Sequence, residues 1–337
     1  MDDLKELRDY GRTLEHEPPA TLARQRERLL RAAAGRSRHR MSGWLAAALV
    51  AVVTAATVAA VAVLTVPTLL FGDRHTANMP AGQRPAKVTG ALNILLVGVD
   101  KGFAPRVPDY PVRTDLIMLL HLPADRKQVR AVAIPRDSIV EVPACGSAPV
   151  GADLIGSAYA KGGLTCTVKT VESATGVRVD HMAEVDFGGF ARLVDALDGV
   201  EVTLPRPVDD RKAKLRLPAG KHVLNGEQAV AYMRLRNYGD GSDISRIKRQ
   251  QVLIASLAKK AAKVLGDPAA LREFVTVLKR SVTTDAELDA ERLLGIAASL
   301  KGTRVDLVTV PWMPHPQDRN RIAWKQPDAD ELFASLR

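Results

Sequence analysis

The sequence predicts an α/β protein: a central mixed, largely antiparallel sheet covered by helices and preceded by one transmembrane helix. Three observations carry this reading. Short apolar runs of strand length, Asn93–Val99, Asp115–Leu122 and Gln128–Ile134, lie one after another. Apolar residues at helical spacing follow, most clearly Ile247, Ile254, Leu257, Ala261 and Val264. Finally, about 28 residues from Trp44 to Phe71 contain no ionisable side chain, more than the roughly 20 needed to span a bilayer core. At 337 residues and 46% apolar, the chain is too long and too hydrophobic to be mainly disordered.

Residues 1–43 read as a charged cytoplasmic segment, with loosely spaced leucines broken by Pro18 and Pro19. Arg24, Arg26, Arg28, Arg31, Arg36, Arg38 and Arg40 precede the apolar run, whereas Arg74 beyond it is balanced by Asp73. The positive-inside rule therefore keeps the N-terminus in the cytoplasm. A cleavable signal peptide is the rival reading of residues 44–71, but such peptides have a short basic start and an apolar core of only ~7–15 residues. Residues 72–90 are polar and rich in Pro and Gly, as in a linker. The extracytoplasmic domain is expected over 91–337.

Of the net charge of +10, about +3 belongs to residues 1–40, so the exported part is itself basic and asks for an anionic partner. Its position outside the cell membrane argues against nucleic acid. The two cysteines, Cys145 and Cys166, are expected to form a structural disulfide in that oxidising compartment, contributing ~3 kcal/mol through the unfolded state. Further strands are expected at Val200–Leu204 and Val305–Val310. Helices are expected at Phe187–Leu197, from Glu227, from Asp243 and from about Asp328. His121, within an apolar run, and Trp312, Trp324 and Phe333 read as packing residues.

The chemistry is expected where the first three strands end. If they pair as antiparallel neighbours, Asp100, the Arg113-Thr114-Asp115 run and the Pro135-Arg136-Asp137 run all fall on one sheet edge. Arg234 and Arg236 lie two residues apart, and Asp243 opens a helix whose first turn carries Arg246 and Arg249. Two arginines there oppose the helix dipole, a conflict that a bound anion relieves. Hard carboxylate oxygens facing guanidinium forks suit a pyrophosphate with Mg²⁺. No Walker A run, Gly-x-Ser-x-Gly or His-Glu-x-x-His is present, so nucleotide hydrolysis, serine hydrolysis and zinc proteolysis lack support.

Seven stretches in order carry a resemblance to a known family: Asn-Ile-Leu-Leu-Val-Gly-Val-Asp (93–100), Arg-Thr-Asp (113–115), Ile-Pro-Arg-Asp-Ser (134–138), Ala-Tyr-Ala-Lys-Gly-Gly (158–163), the run 185–202, the run 224–236 and Asp-Ile-Ser-Arg-Ile-Lys-Arg-Gln-Gln (243–251). The chain resembles the LytR-CpsA-Psr membrane-anchored cell-wall ligases, over roughly residues 91–258. The resemblance implies an α-β-α fold of that family. It also implies transfer of a phosphoglycosyl polymer from a polyprenyl-pyrophosphate carrier to a peptidoglycan hydroxyl, the muramic acid 6-hydroxyl, with release of polyprenyl phosphate.

Carried over residue by residue, Arg113, Asp115 and Arg136 are expected to be catalytic. Arg113, Arg136, Arg234, Arg236, Arg246 and Gln250 are expected to contact pyrophosphate, with Arg249 beside them and Asp243 orienting Arg246. Asp100 and Asp115 are expected to hold Mg²⁺ or Mn²⁺. This chain departs from the family at Val99, where Ser or Thr is commoner, and at Ile155-Gly156-Ser157, where Ile-Asn-Ala is common. Two other functions share these residues: a metal-dependent polyprenyl-pyrophosphate hydrolase, and a non-enzymatic envelope sensor of glycolipid acting through residues 1–40.

Overall fold

Antiparallel pairing of the three early strands is the centre of the structure, a computed structural model. It describes residues 76–88, 90–101, 112, 114–235, 238–239, 243–264, 266–300 and 303–337, all within one unit, Leu69–Arg337. The expected cytoplasmic segment and span, residues 1–71, lie outside the described residues. Among the described residues no helix is long and apolar enough to cross a membrane.

Strands β1 (Thr76–Ala77), β2 (Leu92–Val99), β3 (Thr114–Leu122), β4 (Gln128–Ala133), β7 (His181–Asp186), β12 (Val282–Asp285) and β13 (Arg304–Thr309) form one sheet in the order β1-β12-β7-β2-β3-β4-β13. β2-β3, β3-β4 and β12-β7 are antiparallel, whereas β1-β12, β2-β7 and β4-β13 are parallel. The expectation of a largely antiparallel sheet is therefore corrected to an evenly mixed one. The parallel pairs join strands far apart in sequence, and strand-to-strand pairing of that kind leaves no local signal.

Both faces of the sheet are covered, which is why β2 and β3 are nearly continuous apolar runs. Helices α1 (Ala158–Thr175) and α7 (Asp328–Ala334) cover the face of Leu95, Val97, Ile117 and Leu119 through Leu164, Val168, Val171 and Phe333. Helices α2 (Phe187–Asp195) and α3 (Gly226–Arg234) follow β7 and the hairpin strands, and α4 (Asp243–Val264) and α5 (Pro268–Ser281) come next. On the opposite face Ile247 and Ile254 of α4 pack on Leu116, Met118 and Ala131. Leu293 and Ile296 of α6 (Ala290–Ser299) pack on Ile94 and Leu122.

A second core joins α2 and α3 to strands β8 (Val200–Leu204), β9 (Val208–Asp210), β10 (Leu215–Leu217) and β11 (Gly220–Leu224), and takes in Leu253 and Leu257 of α4. The expected strand Val200–Leu204 thus pairs with β11 rather than with the central sheet. Short hairpins β5 (Ile139–Val142) with β6 (Gly151–Leu154) and β14 (Trp312–Pro314) with β15 (Ile322–Trp324) complete the described strands.

Local chemistry sets the ends. Asn225 and Gln228 form a reciprocal capping box on α3. Asp267 caps α5 ahead of Pro268 at its first position. Helix α1 breaks at Gly162 and Gly163, and Gly163 takes φ +65°, a conformation that favours glycine. The disulfide Cys145–Cys166 joins the loop after β5 to α1, with Cα atoms 5.7 Å apart.

Residues 76–88 are tied to the domain rather than standing off it as linker. β1 pairs with β12, and Arg84 holds buried Glu172 at 2.7 Å, which also accepts the Val179 N–H at 2.8 Å. His121 is half-buried at the end of β3 rather than part of the core, and its Nδ1 is 2.8 Å from Asn93 Oδ1. Trp324 packs against Phe333 with the rings tilted and their centroids 5.0 Å apart, but Trp312 is 39% exposed and does not pack as expected.

Asp285 links β12 to β7. Its carboxylate accepts Met182 N–H at 2.9 Å, Glu287 and Leu288 N–H at 3.0 Å, and lies 3.2 Å from His181 Nδ1. Burial opposes ionisation, but the hydrogen bonds from His181 and the Met182 N–H and the charge of His181 prevail and lower its pKa from 3.8. A lowered carboxyl contributes stability above the unfolded pKa and loses it as pH falls through the folded one. Asp285→Asn is therefore expected to cost about 2–3 kcal/mol at pH 7. The deficit should shrink as urea melts are repeated below pH 4.

Candidate active site

Because β2 and β4 run one way and β3 the other, the end of β2, the start of β3 and the end of β4 meet at one edge. β7, parallel to β2, brings Asp186 and the start of α2 to the same edge, in register with Val99. Asp186 caps α2 by accepting the Gly189 N–H at 2.6 Å.

The pairing of β2 with β3 shifts there: Gly98 opposes Leu116 but Val99 opposes Thr114, so Asp115 is an extra residue, a bulge. Bulges bend a strand and re-aim side chains. Here Thr114 is fully buried and donates to Gly156 O at 3.2 Å, while the Asp115 carboxylate pairs with Arg136 from the end of β4. Gln250, 2% exposed on α4, donates to the Asp115 carbonyl at 3.2 Å. Three elements therefore meet on one residue.

Arg136 is held from behind. Gly156 N–H donates to its carbonyl at 2.9 Å, and a Cβ on Gly156 would lie 2.9 Å from that oxygen. The glycine at this departure from the family pattern allows that approach. Asp137 lies 3.9 Å from Arg136 Nε and 4.0 Å from Arg321.

A second pair stands beside the first. Arg234, at the end of α3, lies 4.0 Å from Asp100 Oδ2 and 5.3 Å over the Phe187 ring. The structure thus brings together Asp100 with Arg234, and Asp115 with Arg136 and Gln250. Arg246 lies in the first turn of α4, one turn before Gln250 on the same side. Arg113, Arg236 and the Asp243 side chain lie outside the described residues.

Arg249 differs from its expected place beside an anion. It is 7% exposed, and its guanidinium donates to the carbonyls of Leu235 and Tyr238. The carbonyls that follow α3 thus receive one of the two cations that oppose the α4 dipole.

Three residues escaped the sequence reading. Lys101 pairs with Glu184, 5% exposed on β7, and its Nζ lies 5.8 Å from the Tyr159 ring. Burial would lower the Lys101 pKa, but Glu184 and Tyr159 outweigh it and raise it; burial, then Glu184, raises that of Tyr159. Tyr159 stands in a quoted family stretch and Lys101 follows Asp100. Glu184 had no signal, because His-Met-Ala-Glu-Val-Asp does not alternate like a strand.

The edge thus offers carboxylate oxygens and guanidinium groups within a few ångströms. Asp100 Oδ1 is buried and has no hydrogen-bond partner among the described residues, a placement that suits a cation. No cluster of three or more His, Cys, Asp or Glu among the described residues forms a metal cage. Mg²⁺ needs none, since one or two carboxylates with substrate phosphates hold it.

Residues 71–336 match the LytR_cpsA_psr family. The chain is 32% identical over 228 residues to the probable cell wall biosynthesis protein LcpB of Corynebacterium glutamicum, covering 67% of this chain and 53% of LcpB. It therefore spans about half the length of that relative. Among solved structures, the LytR-Csp2A-Psr enzyme from Actinomyces oris superimposes with a TM-score of 0.64 at 20% identity, over 78% of this chain and 96% of that one. TagV of B. subtilis gives 0.61 at 22% identity, over 74% and 97%. These two likenesses show the fold.

Arg249→Ala is expected to cost about 2–3 kcal/mol, because it strands buried carbonyls that a charged donor satisfies. Arg249→Lys should recover less than half, a single ammonium being unable to fork to both. Thermal melts of the full chain measure both.

Proposed function

The chain belongs to the LytR_cpsA_psr family, and on that premise we propose that it is a cell-wall glycopolymer transferase. Its donor is a glycan on a polyprenyl-pyrophosphate carrier, and its acceptor a peptidoglycan hydroxyl, the muramic acid 6-hydroxyl. The observation that carries this reading is the sheet edge where Asp115–Arg136 and Asp100–Arg234 stand side by side.

Arg136, Arg234 and Arg246, with Arg113 and Arg236, bind the pyrophosphate oxygens and take up charge that develops as the bond breaks. The acceptor oxygen bonds to the phosphorus bearing the glycan, and the bond from that phosphorus to the bridging oxygen breaks. Polyprenyl phosphate leaves and the hydroxyl proton passes to solvent. Asp100 and Asp115 would hold Mg²⁺ or Mn²⁺, which would supply further neutralisation of phosphate charge. Gln250 fixes the bulge that aims Asp115, and Lys101 with Glu184 secures the backbone beside Asp100.

The domain works outside the cell membrane, anchored by residues 44–71 with the N-terminus in the cytoplasm. The Cys145–Cys166 disulfide supports an oxidising compartment, and the arginines before the span support the orientation.

The test uses the full chain in detergent with a synthetic polyprenyl-pyrophosphoryl glycan, with and without peptidoglycan oligomer and Mg²⁺, read by mass spectrometry. The expected product joins glycan to acceptor through one phosphate, and Arg136→Ala should lower kcat/KM about 10²- to 10³-fold. Release of glycan phosphate without joining would make the protein a hydrolase, and bound lipid without turnover would make it a sensor.

A further inference from the structure

A cavity of about 490 Å³ opens between residues 206–212, around β9, and Leu235 and Tyr238, which follow α3. Leu235, the residue after Arg234, forms part of its wall, so it adjoins the arginine edge along the chain. Its other lining includes Arg206, Asp209, Asp210, Arg211, Lys212 and Tyr238.

The charges do not cancel locally. Asp210 Oδ1 accepts the N–H groups of Lys212 and Ala213 at 2.9 Å, which builds the turn, and Asp209 faces Arg216 at 3.8 Å. Arg206 donates to Gly239 O at 2.9 Å and lies 5.0 Å over the Tyr238 ring, whose hydroxyl donates to Arg206 O at 2.8 Å. These bonds latch the hairpin to the α3–α4 connection and hold a guanidinium in place beside an aromatic wall. Arg211 and Lys212 are exposed and form no ion pair among the described residues. The wall thus carries three cations against two carboxylates, one of which also faces Arg216, and so has an excess of positive charge.

We propose that this cavity is a binding subsite for an acidic sugar, one bearing a carboxylate or phosphate. It recognises the glycan beyond the pyrophosphate. Arg211 and Lys212 attract the acidic group, Arg206 offers a preorganised fork, and Tyr238 supplies apolar surface for a ring face. The volume suits an occupant of one or two sugar rings, well within the ~300–1,000 Å³ of ordinary ligand sites. The proposal rests on the transferase reading and names its substrate class. The acidic sugar has two sources, the donor polymer or the peptidoglycan acceptor with its peptide carboxylates.

The experiment separates subsite from reaction by measuring binding without lipid. The full chain in detergent is titrated with a uronic-acid tetrasaccharide, its neutral carboxyl-reduced counterpart, and a peptidoglycan oligomer, by calorimetry at low salt. The comparison protein is Arg211→Ala/Lys212→Ala, both side chains being exposed and outside the core. The acidic tetrasaccharide is expected to bind at least five-fold tighter than the neutral one, and the double variant should remove that preference. If only the peptidoglycan oligomer shows the charge-dependent loss, the site stands and its occupant is the acceptor. Equal affinity for acidic and neutral sugars, or unchanged binding of every probe in the double variant, overturns the subsite. Absence of glycan transfer by the wild type would instead count against the transferase reading and leave these titrations intact.

Discussion

Asp115 occupies the extra position of a bulged β3, and from there its carboxylate meets Arg136 in the turn after β4 while its carbonyl receives Gln250 of α4. A regular strand has no such residue, since every position is committed to a cross-strand partner. Both side chains of the ion pair remain about one-fifth exposed, 21% and 23%. The pair is therefore dry enough for charge to act more strongly than in water yet open to a ligand. On the proposed transferase reading, guanidinium groups placed in this way would need no reorganisation as phosphate charge develops.

Helix α4 makes that arrangement rigid. Ile247 and Ile254 bind it to the sheet while Leu253 and Leu257 bind it to the second core. It is buried on two sides, so its first turn cannot shift without opening one core or the other. Arg249 adds a polar tie to the carbonyls after α3, the helix that ends with Arg234. The two arginine-bearing helices are thereby fixed to each other as well as to the strands that carry Asp100 and Asp115.

What was legible in the sequence follows from the range of the forces involved. The runs 93–99, 115–122 and 128–134 announced themselves because buried central strands are apolar on both faces, and their order along the chain permitted antiparallel pairing although the first connection is a long loop. The edge cluster of Asp100, Asp115 and Arg136 followed from that order. The bulge did not, because a one-residue shift of register depends on contacts with Gly156 and Gln250, both distant in sequence. Strand β7 was hidden by its His, Glu and Asp: the buried His181 and Glu184 are met by Asp285 and Lys101 from elsewhere in the chain, and Asp186 caps α2. Arg249 illustrates the limit of local electrostatics: its clash with the α4 dipole was visible, but the carbonyls that answer it belong to Leu235 and Tyr238, beyond the end of α3. The family resemblance named Gln250 as a phosphate contact, whereas its buried amide is bonded to the backbone of Asp115.

The central claim is that the sheet-edge arginines receive a pyrophosphate. Phosphorus NMR of a short prenyl pyrophosphate titrated with the full chain in Mg²⁺ tests it without requiring turnover. Both phosphorus signals should shift or broaden on binding, and the effect should fall away in Arg136→Ala while Arg321→Ala leaves it in place. Signals that do not respond to the protein, or respond equally to the Arg136→Ala variant, would contradict the account.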